Sequence, residues 1–115
     1  MEVSVLHIDD CPNWVETGSR LRTALDGLGA SEIPVDFTVL RTHEEAGAVP
    51  FAGSPTIVVD GTDLFPSNGQ TTDLACRVYQ TGGRLAGMPS VDDIAKALRH
   101  RIGSIDADPG SAARR

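Results

Sequence analysis

The stretch "VSVLHIDDCPNWVETGSRL" (residues 3–21) changes from one structural period to another at a cysteine. Residues 3–8 form a short run rich in β-branched side chains, which is typical of a buried strand. After Pro12, apolar or small residues recur every three or four positions and predict one face of a helix. These residues are Trp14, Gly18, Leu21, Leu25 and Leu28. Cys11 therefore lies where a strand ends and a helix begins.

Three further strands are predicted along the chain. Residues 35–40 alternate in polarity and residues 56–60, "TIVVD", are strongly apolar, as strands often are. Residues 76–81, "CRVYQT", predict a fourth strand with a turn at Gly82-Gly83. Residues 42–49 indicate a short helix or a turn. Residues 62–74 are rich in Thr, Ser, Asn, Gly and Asp, which predicts a loop.

The last helix carries the clearest local signals. Ser90 can accept a hydrogen bond as the N-cap, and Asp93 stands three residues later. Its apolar stripe consists of Val91, Ile94, Ala95, Leu98 and Ile102. Residues 104–115 are small and polar, which predicts a disordered tail after a single domain over residues 1–103. The element order is β-α-β, a short helix or turn, then β-β-α, and the first two strands should be parallel.

Composition and charge exclude several classes of partner. The chain of 115 residues has a formal net charge of −6 and a pI near 4.8, with scattered basic residues. Binding to a phosphate backbone or an anionic membrane needs a basic face, so neither is expected. No apolar run approaches the roughly 20 residues that span a bilayer. A cytoplasmic location is expected, where the two cysteines would be free thiols.

With these elements in order, the chain resembles the thioredoxin-like superfamily over roughly residues 2–102. The resemblance depends on a cysteine at the first strand-to-helix junction ("DDCPNW"), on "GSPT" at residues 53–56, and on the βαβ(α)ββα order. It implies an α/β fold with a central mixed four-stranded sheet flanked by helices. More narrowly, "GSPTIVVDGTDLF", "ACRVY" and "LAGMPSVDDIAKAL" resemble small bacterial thioredoxin-like proteins, some of them related to organomercurial (alkylmercury) lyases.

The resemblance also implies a reactive site around Cys11. It implies a cis peptide between Ser54 and Pro55 beside the sulfur, with Ser54 and Thr56 as flanking binding residues. A cysteine at a helix N-terminus is readily ionised, so a solvent-reachable thiolate nucleophile is expected. Asp10 either opposes that ionisation or moves protons to and from the sulfur.

Trp14 stands where redox members of the superfamily carry a second cysteine. Three alternatives follow: a low-molecular-weight thiol resolves the mixed disulfide, Cys76 resolves it, or there is no thiol exchange. In organomercurial lyases two cysteines at comparable separation hold mercury, and an aspartate three residues after the first protonates carbon. Trp14 occupies that aspartate's place here, which argues against carbon–mercury cleavage. Trp14 also starts the apolar stripe of the first helix, and this pattern favours a place in the core over a role in the chemistry.

Three functional hypotheses remain open from the sequence. The first is a thiol redox protein, a possible thiol-disulfide oxidoreductase, with Cys11 as nucleophile and Pro55 shaping the site. The second is a soft-metal or organomercurial-binding site built from Cys11 and Cys76. The third is a redox-silent binding module. No cofactor is expected beyond a low-molecular-weight thiol as co-substrate, and the partner would be a protein or small-molecule thiol or disulfide.

Overall fold

The computed structural model describes residues 1–65, 71, 74–81 and 84–106. The strands are β1 (Val3–His7), β2 (Val35–Val39), β3 (Thr56–Val59), β4 (Thr62–Asp63), β5 (Tyr79–Thr81) and β6 (Arg84–Ala86). The helices are α1 (Asn13–Gly27), α2 (His43–Gly47) and α3 (Val91–Asp106). Within this part of the chain, no helix is long and apolar enough to cross a membrane.

Four strands form one mixed sheet in the order β2-β1-β3-β4. Strand β1 pairs with β2 in parallel, with Val3 opposite Val35, because α1 carries the chain back between them. Strand β3 lies antiparallel on the other side of β1, with Val5 opposite Ile57. All four residues of β3 are buried, as its central place in the sheet requires. The predicted α/β architecture with a mixed four-stranded sheet is confirmed.

The fourth strand of this sheet is not the one predicted. The segment predicted as a strand at residues 76–81 contributes only β5, which pairs with β6 in a separate two-stranded ribbon. The sheet is completed instead by β4, inside the predicted loop. Asp60 and Gly61 have φ values of 52° and 86°, and such a turn folds the chain straight back onto β3. A strand of two residues carries no periodic signal, which is why the pattern missed it. The predicted turn at Gly82-Gly83 lies outside the described residues.

The helices begin largely where their signals place them. Helix α1 begins at Asn13, directly after Pro12, and α2 is a short helix with a reciprocal capping box between Thr42 and Glu45. The Ser90 hydroxyl accepts a hydrogen bond from the Asp93 N–H at 3.1 Å and caps α3. Helix α3 continues to Asp106, three residues into the predicted tail, since one glycine weakens a helix without ending it. Residues 107–115 of that tail lie outside the described part.

Two apolar clusters cover the two faces of the sheet. The larger contains Val5 of β1 and Ile57 of β3, packed with residues of α1 and α3. The smaller contains Leu6 of β1 and Val58 of β3, on the opposite face because neighbouring strand residues point to opposite sides. Cys11 belongs to this smaller cluster, together with Ile8, Leu40, Ala46 and Phe51.

A buried ion pair joins β4 to the segment that leads into β5. Arg77 donates to the Asp63 carboxylate at 2.8 Å, and their side chains are 7% and 14% exposed. The Arg77 guanidinium also donates to the Phe65 carbonyl and lies 4.5 Å from the centre of the Tyr79 ring. Burial raises the pKa of Asp63, and the Arg77 charge offsets part of that rise. The pair therefore holds the chain around residues 76–79 against the edge of the sheet.

We predict that Arg77→Leu lowers the free energy of unfolding by about 3 kcal/mol at neutral pH, because Asp63 is left buried and unpaired. The loss should shrink as the pH falls through the raised pKa of Asp63, since a neutral carboxyl needs no counter-charge. Urea unfolding at several pH values measures both effects. Glu16→Gln, which breaks an exposed pair with Arg20, is the control and should cost less than about 0.5 kcal/mol. Equal losses for the two variants would contradict the assignment.

Candidate thiol site

Ser54, in the loop that leads into β3, pairs through its main chain with the segment that carries Cys76. The Ser54 N–H donates to the Ala75 carbonyl at 2.8 Å, and the Arg77 N–H donates to the Ser54 carbonyl at 2.8 Å. These two bonds form an isolated parallel bridge between Ser54 and Cys76. Cys76 is thereby placed beside the Ser54-Pro55 peptide, although its segment lies outside the main sheet.

Cys11 reaches the same residue from the other side. Its sulfur donates to the Ser54 carbonyl at 3.6 Å, and the Ile8 N–H at the end of β1 donates to the Ser54 hydroxyl at 3.1 Å. The Cys11 and Cys76 side chains interact, and this interaction raises the pKa of Cys76. Both thiols are free. The structure therefore brings together two cysteines that are far apart in the sequence.

Gly53 allows the segment that carries Cys76 to pack closely against the loop before β3. Its φ is 107°, in a region that side chains other than glycine rarely adopt. A Cβ at this position would lie 2.8 Å from the Arg77 Cβ and 3.0 Å from the Arg77 Cα. The first residue of "GSPT" is thus glycine because the backbone of residues 75–77 packs directly against it.

The Ser54-Pro55 peptide is cis, as the resemblance implies. Pro55 is fully buried, and its carbonyl accepts a hydrogen bond from the Tyr79 hydroxyl. Burial raises the pKa of Tyr79, so this hydroxyl stays protonated and remains a donor. Tyr79 was not predicted as a site residue, because nothing in the local pattern of "CRVYQT" links it to a proline far earlier in the chain.

The two hydroxyl residues that flank Pro55 have partners inside the protein. Ser54 is fully buried and accepts from Ile8 as described. The buried Thr56 hydroxyl donates to the Gly53 carbonyl and accepts from the Ala52 N–H at 3.1 Å. Both side chains therefore shape the turn that carries Pro55, and neither hydroxyl faces solvent.

The exposure of the two sulfurs is the reverse of the sequence prediction. Cys11 is 0% exposed, whereas Cys76 is exposed. The expectation that the Cys11 sulfur is reachable from solvent is wrong. Cys11 packs as a small apolar side chain in the cluster that also contains Leu40 and Phe51. A position at the start of a helix does not determine exposure, because packing from β2 and from the loop before β3 closes over it.

The environment of Cys76 favours its protonated form. The pKa of Cys76 is raised, chiefly by the interaction of its side chain with that of Cys11, then by burial, and then by the negative charges of Cys11 and Asp10. Each of these causes favours the neutral thiol over the thiolate. At neutral pH the exposed sulfur is consequently mostly a thiol.

The two aspartates before Cys11 face different partners. The Asp9 carboxylate accepts from Arg41 Nε at 2.9 Å, and Asp9 raises the pKa of Arg41. The Asp10 charge acts on Cys76 and disfavours its ionisation. This effect is on Cys76, whereas the two roles predicted for Asp10 concerned Cys11, and they stay predictions.

Trp14 packs against aromatic rings of the sheet. Its ring stacks on His7, with centroids 4.1 Å apart and planes at 11°, and meets the edge of Phe37 at 5.5 Å. Trp14 is also packed against the larger apolar cluster. The place of a second cysteine in a Cys-x-x-Cys pair is therefore filled by a side chain that joins α1 to β1 and β2.

The donor set around the thiols is small. In the ranges that the structure describes, no three or more His, Cys, Asp or Glu side chains lie together in a way that could hold a metal ion. Two neighbouring sulfurs remain, and thiolates are the ligands that soft ions prefer.

Comparisons of the chain with protein-family models, with curated proteins and with solved structures give no match in any of the three.

We predict that Gly53→Ala separates the two thiols. The added Cβ meets the Arg77 backbone, and the φ of 107° is strained for alanine, so the free energy of unfolding should fall by about 2 kcal/mol. Alkylation of Cys76 should also become faster, because the interaction with Cys11 that raises the pKa of Cys76 is lost. Gly27→Ala, where an added Cβ meets nothing within 4 Å, is the control. It should neither lower the free energy of unfolding, because alanine is the better helix former, nor speed alkylation. Wild-type behaviour of Gly53→Ala would refute this contact.

We predict that Cys11→Ala lowers the pKa of Cys76 and speeds its alkylation at neutral pH. The variant removes the largest cause of the raised pKa of Cys76. It also leaves Cys76 as the one thiol whose alkylation is measured. Iodoacetamide rates across pH, with peptide mass spectrometry to identify the modified sulfur, measure the shift. Glu32→Gln, which removes an exposed carboxylate outside the site, should leave the profile unchanged. An identical pH profile in Cys11→Ala and wild type would show that the two thiols do not interact.

Proposed function

We propose that this chain is a thioredoxin-like thiol redox protein in which Cys11 and Cys76 form one working pair. The observation that carries the proposal is that a buried thiol and an exposed thiol meet at Ser54. The Cys11 sulfur donates to the Ser54 carbonyl, and Cys76 forms a main-chain bridge with the same residue. The roles differ from the sequence prediction. Cys76 is the outward nucleophile that meets the substrate, and Cys11 is the inner thiol that resolves the mixed disulfide.

The chemistry is thiol–disulfide exchange with a disulfide substrate as the oxidant. The Cys76 thiolate attacks one sulfur of the substrate, the substrate S–S bond breaks, and the released thiolate takes up a proton. The Cys11 thiolate then attacks the Cys76 sulfur and displaces the second substrate thiol, which is protonated in turn. Two protein thiols are oxidised to one disulfide, and one substrate disulfide is reduced to two thiols.

This proposal explains how a chain with Trp14 in place of a second cysteine can still resolve a mixed disulfide. A resolving thiol must lie within bonding reach of the first sulfur, and reach is a matter of space and not of sequence separation. The bridge between Ser54 and Cys76 brings Cys76 to the same residue that Cys11 contacts, although the two cysteines are far apart in the sequence. Of the three alternatives that Trp14 leaves open, resolution within the Cys11–Cys76 pair has the strongest structural support.

The raised pKa of Cys76 sets the pH dependence of the exchange. Only the thiolate attacks a disulfide, and the fraction of thiolate is small while the pH lies below the pKa. The exchange rate should therefore keep rising into the alkaline range. At neutral pH the exchange with a freely diffusing disulfide should be slow. A disulfide bound next to the Cys76 sulfur would react faster, which makes the exchange selective.

Soft-metal binding is the second candidate, favoured by the same contact between the two sulfurs. Two thiolates suit an ion that accepts two ligands, such as Cu(I) or Hg(II). Cleavage of a carbon–mercury bond has weaker support, because Trp14 stands where a proton-donating aspartate would be needed. Asp10 is a carboxylate whose charge reaches Cys76, so it is a candidate proton donor.

The redox proposal is tested by oxidising the reduced protein with bis(2-hydroxyethyl) disulfide. Wild type should become lighter by two hydrogens through a Cys11–Cys76 disulfide, which the chain-entropy model expects to stabilise the fold by about 4 kcal/mol. Cys11→Ala should stop at a mixed disulfide on Cys76, and Cys76→Ser should not react. Mass spectrometry and thermal unfolding measure these outcomes. No disulfide under any condition, with tight Hg(II) binding, would favour the metal site, and neither reaction would leave a redox-silent binding module.

A further inference from the structure

A recess of about 240 Å³ lies next to the thiol pair. It is lined by Ile8, Asp9, Asp10, Leu40, Arg41 and Leu74. Packing places it beside the thiols. Ile8 and Leu40, which line the recess, belong to the apolar cluster that contains Cys11, and Leu74, which also lines it, packs against that cluster. Leu74 also precedes Cys76 by two residues. The recess therefore lies beside the cluster that holds the inner thiol.

The rim offers one cation and one anion to a ligand. Arg41 uses Nε to bind Asp9, and its two terminal nitrogens make no hydrogen bond to any residue that the structure describes. Asp10 pairs with no basic side chain in residues 1–65, 71, 74–81 and 84–106. A guanidinium with free N–H groups binds a carboxylate well, and a free carboxylate binds an ammonium.

The apolar floor and the size of the recess limit which ligands can fit it. Ile8, Leu40 and Leu74 are apolar and suit a short hydrocarbon segment. A volume of about 240 Å³ is below the roughly 300–1,000 Å³ typical of sites for drug-sized ligands. The protein's net charge of −6 disfavours disulfides that carry many carboxylates. The features together fit a small ligand that carries an α-amino-acid group.

We propose that this recess binds one half of cystine or a close analogue, with its carboxylate at Arg41, its ammonium at Asp10 and its sulfur toward Cys76. This inference rests on the proposed thiol exchange and names its substrate class. The Cys76 thiolate attacks the sulfur of the seated half, the other half leaves as cysteine, and the leaving thiolate takes a proton. Cys11 then displaces the seated half as a second cysteine and closes the protein disulfide.

The test compares four disulfides as oxidants of the reduced full-length chain: cystine, cystamine, 3,3′-dithiodipropionate and bis(2-hydroxyethyl) disulfide. Cystamine lacks the carboxylate, dithiodipropionate lacks the ammonium, and the hydroxyethyl compound lacks both. Each rate is divided by that of the same disulfide with N-acetylcysteine thiolate, which removes differences in intrinsic reactivity. The normalised rate for cystine should exceed each of the others by about tenfold, as a charge-assisted contact implies.

Two variants test whether Arg41 and Asp10 cause the preference for cystine. Arg41→Gln should bring the normalised ratio of cystine to cystamine to about one, and Asp10→Asn should do the same for the ratio of cystine to dithiodipropionate. Ratios are used because Asp10→Asn also changes the pKa of Cys76 and so shifts every rate. Asp92→Asn, an exposed carboxylate on α3, is the charge-matched control and should keep both ratios.

The two proposals fail in different ways. Oxidation by all four disulfides at equal normalised rates would overturn the cystine site and leave the thiol exchange standing. Oxidation by none of them would overturn the thiol exchange, and the cystine inference with it. A cystine preference that persists in both Arg41→Gln and Asp10→Asn would overturn the assignment of the recess.

Discussion

The main-chain pairing of Ser54 with residues 75–77 is the constraint on which the site depends. It joins a loop that leads into the central strand β3 to a segment that is outside the main sheet. Two hydrogen bonds of 2.8 Å hold the pairing, and Gly53 leaves the room for it. Without this contact the two cysteines would belong to separate parts of the molecule, and neither redox exchange nor soft-metal binding by a sulfur pair would have a basis.

Two further interactions, both made by residues that follow Cys76, hold this segment against the rest of the fold. The Tyr79 hydroxyl bonds the Pro55 carbonyl, and Arg77 forms a buried ion pair with Asp63 of β4. Buried ion pairs add little net stability, but leaving one partner alone is costly. Such a pair selects one arrangement over others, and the arrangement selected here is the one that sets Cys76 beside Cys11.

The division of the pair into an inner and an outer sulfur has chemical consequences. Because Cys11 is buried and Cys76 is exposed, the proposed exchange assigns the first contact with a substrate to Cys76. The interaction with Cys11 and the charge of Asp10 raise the pKa of Cys76 and disfavour its thiolate. Under the proposal, binding of a disulfide in the recess with Arg41 and Asp10 would offset this low reactivity.

The sequence by itself determined the α/β order, the strand β1, the start of α1 after Pro12, the Ser90 cap of α3 and the resemblance that implied a cis Ser54-Pro55 peptide. Each of these follows from a local period or from a short motif. Only the tertiary structure decided that β4 completes the sheet, that Cys11 is buried and Cys76 exposed, that the Tyr79 hydroxyl bonds the Pro55 carbonyl, and that Arg41 lines the recess. These facts depend on contacts between segments distant in the chain, and local periodicity carries no information about which buried surface will cover a given side chain.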